Sequence, residues 1–148
     1  MKLLIVSQSS ESGTNRELAR IIADRLSLRS DKLMEIEYAN ADNAKEAFDV
    51  DHQIWIVPEW NTSFPHTFKA LIDNSGWPSK LRGKYILLIG TSETTFGNLL
   101  GITHLEHILK YMGANVSKNT VHMPHLSKTI EDAYTDERLV SAINKFVD

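Results

Sequence analysis

The chain has 148 residues, 42% of them hydrophobic and 24% charged, which fits one soluble globular domain spanning residues 1–148 with a buried core. A formal net charge of -3 without any basic cluster excludes nonspecific nucleic-acid binding, and the lack of cysteine excludes disulfides, thiolate nucleophiles and Cys-ligated zinc. The N-terminal apolar run, Leu3 to Val6, is too short for a signal-peptide core or a membrane span, so a cytoplasmic protein with no membrane association is expected.

Leu3-Leu4-Ile5-Val6 reads as a continuous apolar strand, the pattern of a parallel sheet covered on both faces. The loop over residues 7–13 is hydroxyl, amide and glycine, and Thr14 with Glu17 forms a capping-box signature for a helix reaching about residue 28. Leu18, Ile21, Ile22 and Leu26 give that helix one apolar face. Strand, hydroxyl-rich loop and helix start are the parts of an anion site, because free N–H groups at a helix N-terminus attract phosphate. The glycine and lysine spacings of the dinucleotide fingerprint and of the Walker loop are absent.

Residues 33–38 alternate apolar and polar and read as an edge strand, and residues 41–48 as a short helix. Gln53-Ile54-Trp55-Ile56 is a third strand that stops at Pro58, which cannot donate to a ladder. The turn sequence Glu59-Trp60-Asn61-Thr62-Ser63 follows, then Pro65 at the start of a helix over residues 65–73. Tyr85 to Ile89 is the best central strand, ending in a second loop of hydroxyls and glycines, Gly90 to Gly97. Leu105, Ile108, Leu109 and Met112 mark the next helix, closed by Gly113, and residues 114–122 hold one short last strand. Leu139, Val140, Ile143, Phe146 and Val147 mark a closing amphipathic helix.

Alternating strands and helices with uniformly apolar strands predict a three-layer α/β sandwich. The expected sheet is flavodoxin-like, five-stranded and parallel, of order 2-1-3-4-5, with strands near 2–7, 33–38, 53–57, 84–90 and 114–122. The polar loops after the first, third and fourth strands then meet at one end of the sheet.

The stretch Pro58-Glu59-Trp60-Asn61-Thr62-Ser63-Phe64-Pro65, followed by Phe68-Lys69-Ala70-Leu71-Ile72-Asp73, resembles the NADPH-dependent FMN reductase family. That family includes quinone, chromate and azo-dye reductases, and its pattern here is Pro-Glu-Tyr-Asn-Gly-Ser-x-Pro-Gly-x-Leu-Lys-Asn-Ala-Ile-Asp. Gly83-Lys84 and the Gly90 to Gly97 loop also fall where the family has Gly-Lys and a Ser/Gly-rich loop. The resemblance implies a cofactor, FMN, reduced by NADPH or NADH. It places the phosphate on the loop of Ser9, Glu11, Thr14, Asn15 and Arg16. It lays the isoalloxazine ring along Pro58, Glu59, Trp60 and Asn61, and closes the other side with Thr91, Ser92, Thr95 and Gly97. Glu11 stands where the family usually has Arg, Trp60 replaces Tyr and Thr62 replaces Gly, while Glu93 and Thr94 interrupt the usual Pro-Gly.

The function that follows is an NAD(P)H oxidoreductase passing hydride to flavin and on to a quinone, azo compound, free flavin or similar small-molecule acceptor. The flavin carries the chemistry, so no catalytic side chain is assigned. A flavodoxin-like electron carrier and a flavin-free binding module are the alternatives. Without Asp or Glu at matching spacing, His104, His107, His122 and His125 read as surface or packing residues rather than metal ligands. The Asp132 to Glu137 cluster reads as solvated surface, and no nucleophile elbow follows any strand. A homodimer or homotetramer is expected through the helix of residues 65–73 and the aromatics Phe64, Phe68 and Trp77, taken as exposed.

Overall fold

The uniformly apolar runs form the middle of the sheet because each of them buries side chains on both faces. The computed structural model describes residues 1–8, 13–29 and 33–148. In chain order the elements are β1 (Lys2–Ser7), α1 (Thr14–Ser27), β2 (Glu35–Asn40), a 3-10 turn (Lys45–Phe48), β3 (His52–Pro58), α2 (His66–Asp73) and β4 (Tyr85–Thr91). They continue with α3 (Leu99–Tyr111), β5 (Asn115–Val116), β6 (Val121–Met123), α4 (Leu126–Thr129), a second 3-10 turn (Ile130–Tyr134) and α5 (Glu137–Val147).

All strands are parallel and lie in the order β2-β1-β3-β4-β5, with β6 also paired to β4. Side chains alternate between the faces: Leu3 and Ile5 join one core with Ile54, Ile56, Leu87 and Ile89, under α1, α4 and α5. Leu4 and Val6 join the other with Trp55, Val57, Ile86 and Leu88, under α2 and α3. The expected flavodoxin-like sandwich and strand order are thus found.

Several local expectations are corrected. The last strand is two pieces rather than one, since Ile86 faces Val116 but Ile89 faces Val121. Three steps along β4 are therefore matched by five on its neighbour, and the polar Ser117 to Thr120 segment bulges out of the ladder. The edge strand sits two residues later than its alternation suggested. Residues 41–48 make only a 3-10 turn, and Pro65 stands at the N-cap of α2 instead of inside it. Thr14 is not a cap: Glu17 N–H bonds the Gly13 carbonyl at 3.0 Å, so the helix begins one residue earlier and the capping box does not form. Phe68 is fully buried against Trp55, with ring centroids 5.6 Å apart, so it is not an exposed aromatic. Its spacing from Leu71 and Ile72 puts it on the sheet-facing stripe of α2.

Two helix ends follow capping rules closely. Gly113, at φ 91, ends α3 in a Schellman motif, with Ala114 N–H on Leu109 O and Gly113 N–H on Lys110 O, both at 3.0 Å. Asp136, within the cluster read as solvated surface, caps α5 by accepting from Arg138 N–H at 2.9 Å and Leu139 N–H at 3.3 Å. The Arg138 guanidinium hydrogen-bonded to Asp136 holds its carboxyl below the ordinary carboxylate range. The same region supplies Ile130 and Ala133 to the core beneath α1.

A buried amide sits in the middle of the sheet. Gln53 is fully buried beside Leu4 and Ile86, and its amide is used three times. It donates to Ala47 O at 2.7 Å and Val50 O at 2.8 Å, and accepts from Trp55 Nε1 at 2.8 Å. The amide thereby fastens the 3-10 turn to the middle of β3.

Candidate active site

Parallel strands carry their following loops to the same end, so the loops after β1, β3, β4 and β6 gather at the carboxyl edge of the sheet. Of the residues assigned from sequence, Ser9 and Glu11 lie outside the described residues. Thr14, Asn15 and Arg16 form the first turn of α1, half-buried, with Arg16 Cζ lying 4.8 Å from the centre of the Tyr38 ring. Thr91 is buried at the end of β4 and donates from Oγ1 to Asn15 Oδ1 at 2.6 Å, which joins the start of α1 to the middle of the sheet. Thr67, at the start of α2, donates to the Gln8 side chain and joins the end of β1 to the helix that follows β3.

The loop after β3 is a tight hairpin. Trp60 N–H bonds Ser63 O at 2.8 Å and Ser63 N–H bonds Trp60 O at 2.9 Å, with Asn61 (φ 50) and Thr62 (φ 66) both left-handed between them. Positive φ at both central residues is the type I′ turn, which favours Asn-Gly. Asn61 suits it. Thr62 is β-branched and holds a conformation that costs of order 1–3 kcal/mol, so surrounding contacts must impose it.

Glu59 links this loop to the next. Its N–H extends the β3–β4 ladder to Thr91 O at 2.8 Å, and its carboxylate accepts from Thr94 Oγ1 at 2.9 Å. Ser92 braces the loop after β4 from inside, its Oγ donating to Thr94 O and accepting from Gly97 N–H, each at 2.9 Å. Gly97 is buried at φ 55, and an added Cβ there would lie 2.7 Å from Met123 N, so only glycine fits. Thr95 is exposed on the loop's outer turn.

Sequence reasoning missed the fourth loop and Asn98. His125 Nδ1 lies 3.1 Å from Glu93 O and its N–H bonds Thr94 O at 3.2 Å, while His122 Nδ1 lies 3.0 Å from Gly97 O. The two histidines therefore hold the loop after β4 from beneath, and no group of three His, Asp or Glu among the described residues is placed to bind a metal. The Glu93 carboxylate accepts from Ser127 N–H at 3.0 Å and from its hydroxyl, which turns that charge onto the start of α4. Asn98 is fully buried and left-handed at φ 60, and donates to Val57 O at 3.1 Å and Pro58 O at 3.0 Å. Its Oδ1 is buried with no partner among the described residues. An Asn placed directly before an apolar helix was the available signal, since Asn is a preferred helix N-cap; here the side chain holds β3 instead of its own helix.

The family model described as NADPH-dependent FMN reductase matches residues 35–128, a span holding β2 to α4 and three of the four loops. The chain belongs to that family. Among solved structures, an apo NADH:FMN oxidoreductase is similar at TM-score 0.76 and 23% identity, over 98% of this chain and 87% of that one. The oxidoreductase FerB from Paracoccus denitrificans is similar at TM-score 0.69 and 20% identity, over 98% of each chain. Oxidised flavodoxin 2 from Bacillus cereus is similar at TM-score 0.70 and 19% identity, over 98% of this chain and 99% of that one. At such identities these likenesses show the fold. No curated protein sequence matches the chain.

The family is one of NAD(P)H-dependent flavin oxidoreductases whose cofactor is FMN, and the residues present fit that group. Gly13 at the N-cap has no side chain to occupy the first-turn N–H groups of α1, which have no side-chain cap among the described residues and suit an anion. The N–H groups of Asn61 and Thr62 on one wall, and of Thr94, Thr95 and Phe96 on the other, have no acceptor among the described residues. Trp60 and Phe96 are exposed beside them and offer aromatic faces to a flat ring.

Proposed function

We propose that this chain is an FMN-dependent NAD(P)H oxidoreductase that reduces a small-molecule acceptor such as a quinone, an azo compound or free flavin. What supports the reading is the meeting, at one sheet end, of a helix N-terminus and two loop walls whose N–H groups have no acceptor among the described residues. FMN would supply hydride acceptance and donation. The first turn at Thr14, Asn15 and Arg16 would hold its phosphate, together with Ser9 of the preceding loop. The wall of Pro58, Glu59, Trp60 and Asn61 and the wall of Thr91, Ser92, Thr95 and Gly97 would fix the ring and exclude water from its edge. Reduced nicotinamide is abundant in the cytoplasm, where such a reaction would run.

The purified protein should be yellow or should take up FMN. Titration of the apo-protein, followed by quenching of FMN fluorescence, should saturate. Thr14→Ala should weaken binding by about tenfold, the loss expected from one hydrogen bond to a charged group. No saturable binding in either protein would remove the oxidoreductase reading and leave a flavin-free binding module.

We further infer a homodimer or homotetramer, carried by Trp77 of the residues first assigned, with Tyr111 and Leu100 in place of the buried Phe68. Trp77 and Tyr111 are both largely exposed and stack at 6.2 Å, and Leu100 adds apolar surface on α3. Light scattering at micromolar concentration should give at least twice the 16.8 kDa chain mass. A monomer mass would refute it.

A further inference from the structure

We propose that the cleft between the crossover after β2 and helix α2 is a second binding site, for a small zwitterion with an apolar body, of which an aromatic α-amino acid is the class that fits. A cavity of about 420 Å³ opens there, within the roughly 300–1,000 Å³ of small-molecule sites. None of its lining residues belongs to the loops of the proposed flavin site. Buried Ala41, Ala44 and Leu71 give it apolar surface, and half-buried Phe48 presents a ring.

Both walls of this cleft are braced from behind. Gln53 Nε2 donates to Ala47 O and Val50 O, on either side of Phe48, so the turn that carries the ring is tied to β3. Lys80 lies between Ser79 and Leu81, which are both buried. Its N–H bonds Ser75 O at 2.9 Å, the Ser75 and Ser79 hydroxyls bond each other at 2.6 Å, and Leu81 N–H donates to Ser79 Oγ at 3.0 Å. The Lys80 ammonium stands 5.5 Å from the centre of the Phe48 ring. Cation and ring thus meet at the cavity from two separately fixed segments.

The charges lining the cavity are of both signs and do not pair. Lys45 and Lys80 bond no carboxylate among the described residues, and the side chains of Asp42 and Asp49 accept no hydrogen bond from them. Asp49 lies in the field of the Lys2 ammonium, which is itself bonded to Glu37 at 2.9 Å. Opposite charges that line one cavity without bonding each other leave places for a ligand that carries both. Its carboxylate would go to the Lys80 ammonium, whose three donors meet only the face of a ring. Its ammonium would go to Asp42 and Asp49, and its apolar body to Phe48 and Leu71. A purely anionic ligand would be repelled by the two carboxylates and a purely cationic one by the two lysines, so the zwitterion is favoured over either.

The test uses the full chain, with and without added FMN, and three probes. These are L-phenylalanine, 3-phenylpropanoate, which lacks the ammonium, and phenethylamine, which lacks the carboxylate. L-Phenylalanine should bind saturably with a Kd of about 1 mM, and amide shifts in nuclear magnetic resonance should centre on Ala44, Phe48, Leu71 and Lys80 whether or not FMN is present. The two truncated probes should bind severalfold more weakly. Lys80→Met keeps the apolar stem, and should weaken L-phenylalanine severalfold while leaving phenethylamine unchanged. Asp42→Asn together with Asp49→Asn should also weaken L-phenylalanine, while leaving 3-phenylpropanoate no weaker than before. All three positions are exposed, so the variants should fold. Binding of 3-phenylpropanoate or phenethylamine as tight as that of L-phenylalanine would overturn the zwitterion assignment. Shifts confined to the loops at the carboxyl edge of the sheet, or no binding of any probe at ten times that concentration, would overturn the site.

Discussion

Gln53→Leu should lower the unfolding free energy by about 3–5 kcal/mol, a large part of the 5–15 kcal/mol typical of a domain. The substitution roughly keeps side-chain volume, so a cavity is not the cause. It strands three buried groups at once: Trp55 Nε1–H loses its acceptor, and Ala47 O and Val50 O lose their donor. Each such group costs roughly 1–3 kcal/mol, and the 3-10 turn can relax to recover part of the sum. Denaturant unfolding measures the loss. Adding Trp55→Phe removes the stranded N–H, so the double variant should lose less than the two single losses combined. A midpoint for Gln53→Leu corresponding to less than about 1 kcal/mol would show that the amide is not what holds the turn to the sheet.

The features that sequence reasoning located are those with short-range causes. Uniform apolar runs identify β1, β3 and β4 because a doubly covered strand has no wet face to spare, and the sheet order follows from the alternation with helices. The hairpin of Trp60 to Ser63 and the loop from Thr91 to Gly97 were legible as turn chemistry, and both flank the candidate site. What escaped was set by partners far along the chain. Gln53 reads as a flaw in an apolar run until the 3-10 turn folds over it. Asn98 answers to Val57 and Pro58, about forty residues earlier, and nothing local distinguishes it from an ordinary cap. The capping box failed for a local reason instead, since Gly13 O accepts from Glu17 N–H and the helix grows back by one residue. Glu93, an interruption of the family pattern, has its carboxylate drawn to α4 by Ser127, a partner thirty-four residues on that the local sequence does not reveal.

Gly101→Ala should be the more damaging change to the site. Gly101 lies in the first turn of α3, where the helix passes against the backbone of the hairpin loop. A Cβ there would stand 2.2 Å from Asn98 Oδ1, 2.7 Å from Ser63 C and 2.8 Å from Phe64 N. Two of those atoms are main chain, so no side-chain rotation relieves the clash, and α3 must part from the loop that Asn98 ties to β3. Overpacking of this kind costs about 1–3 kcal/mol, and the upper end applies because Asn98 is buried and its amide is fixed by two carbonyls. The functional loss should be larger than the stability loss, because the displaced segment carries Trp60 to Ser63 and one wall of the proposed flavin site. FMN affinity should fall by more than tenfold under conditions where circular dichroism shows the variant still folded. Adding Asn98→Gly removes only the nearest of the three clashing atoms, leaves the clashes with Ser63 and Phe64 main chain, and strips Val57 O and Pro58 O of their donor, so the double variant should be less stable than Gly101→Ala alone. A Gly101→Ala protein with wild-type unfolding and wild-type FMN affinity would mean that α3 and the hairpin loop are not in the close contact on which the shape of this site depends.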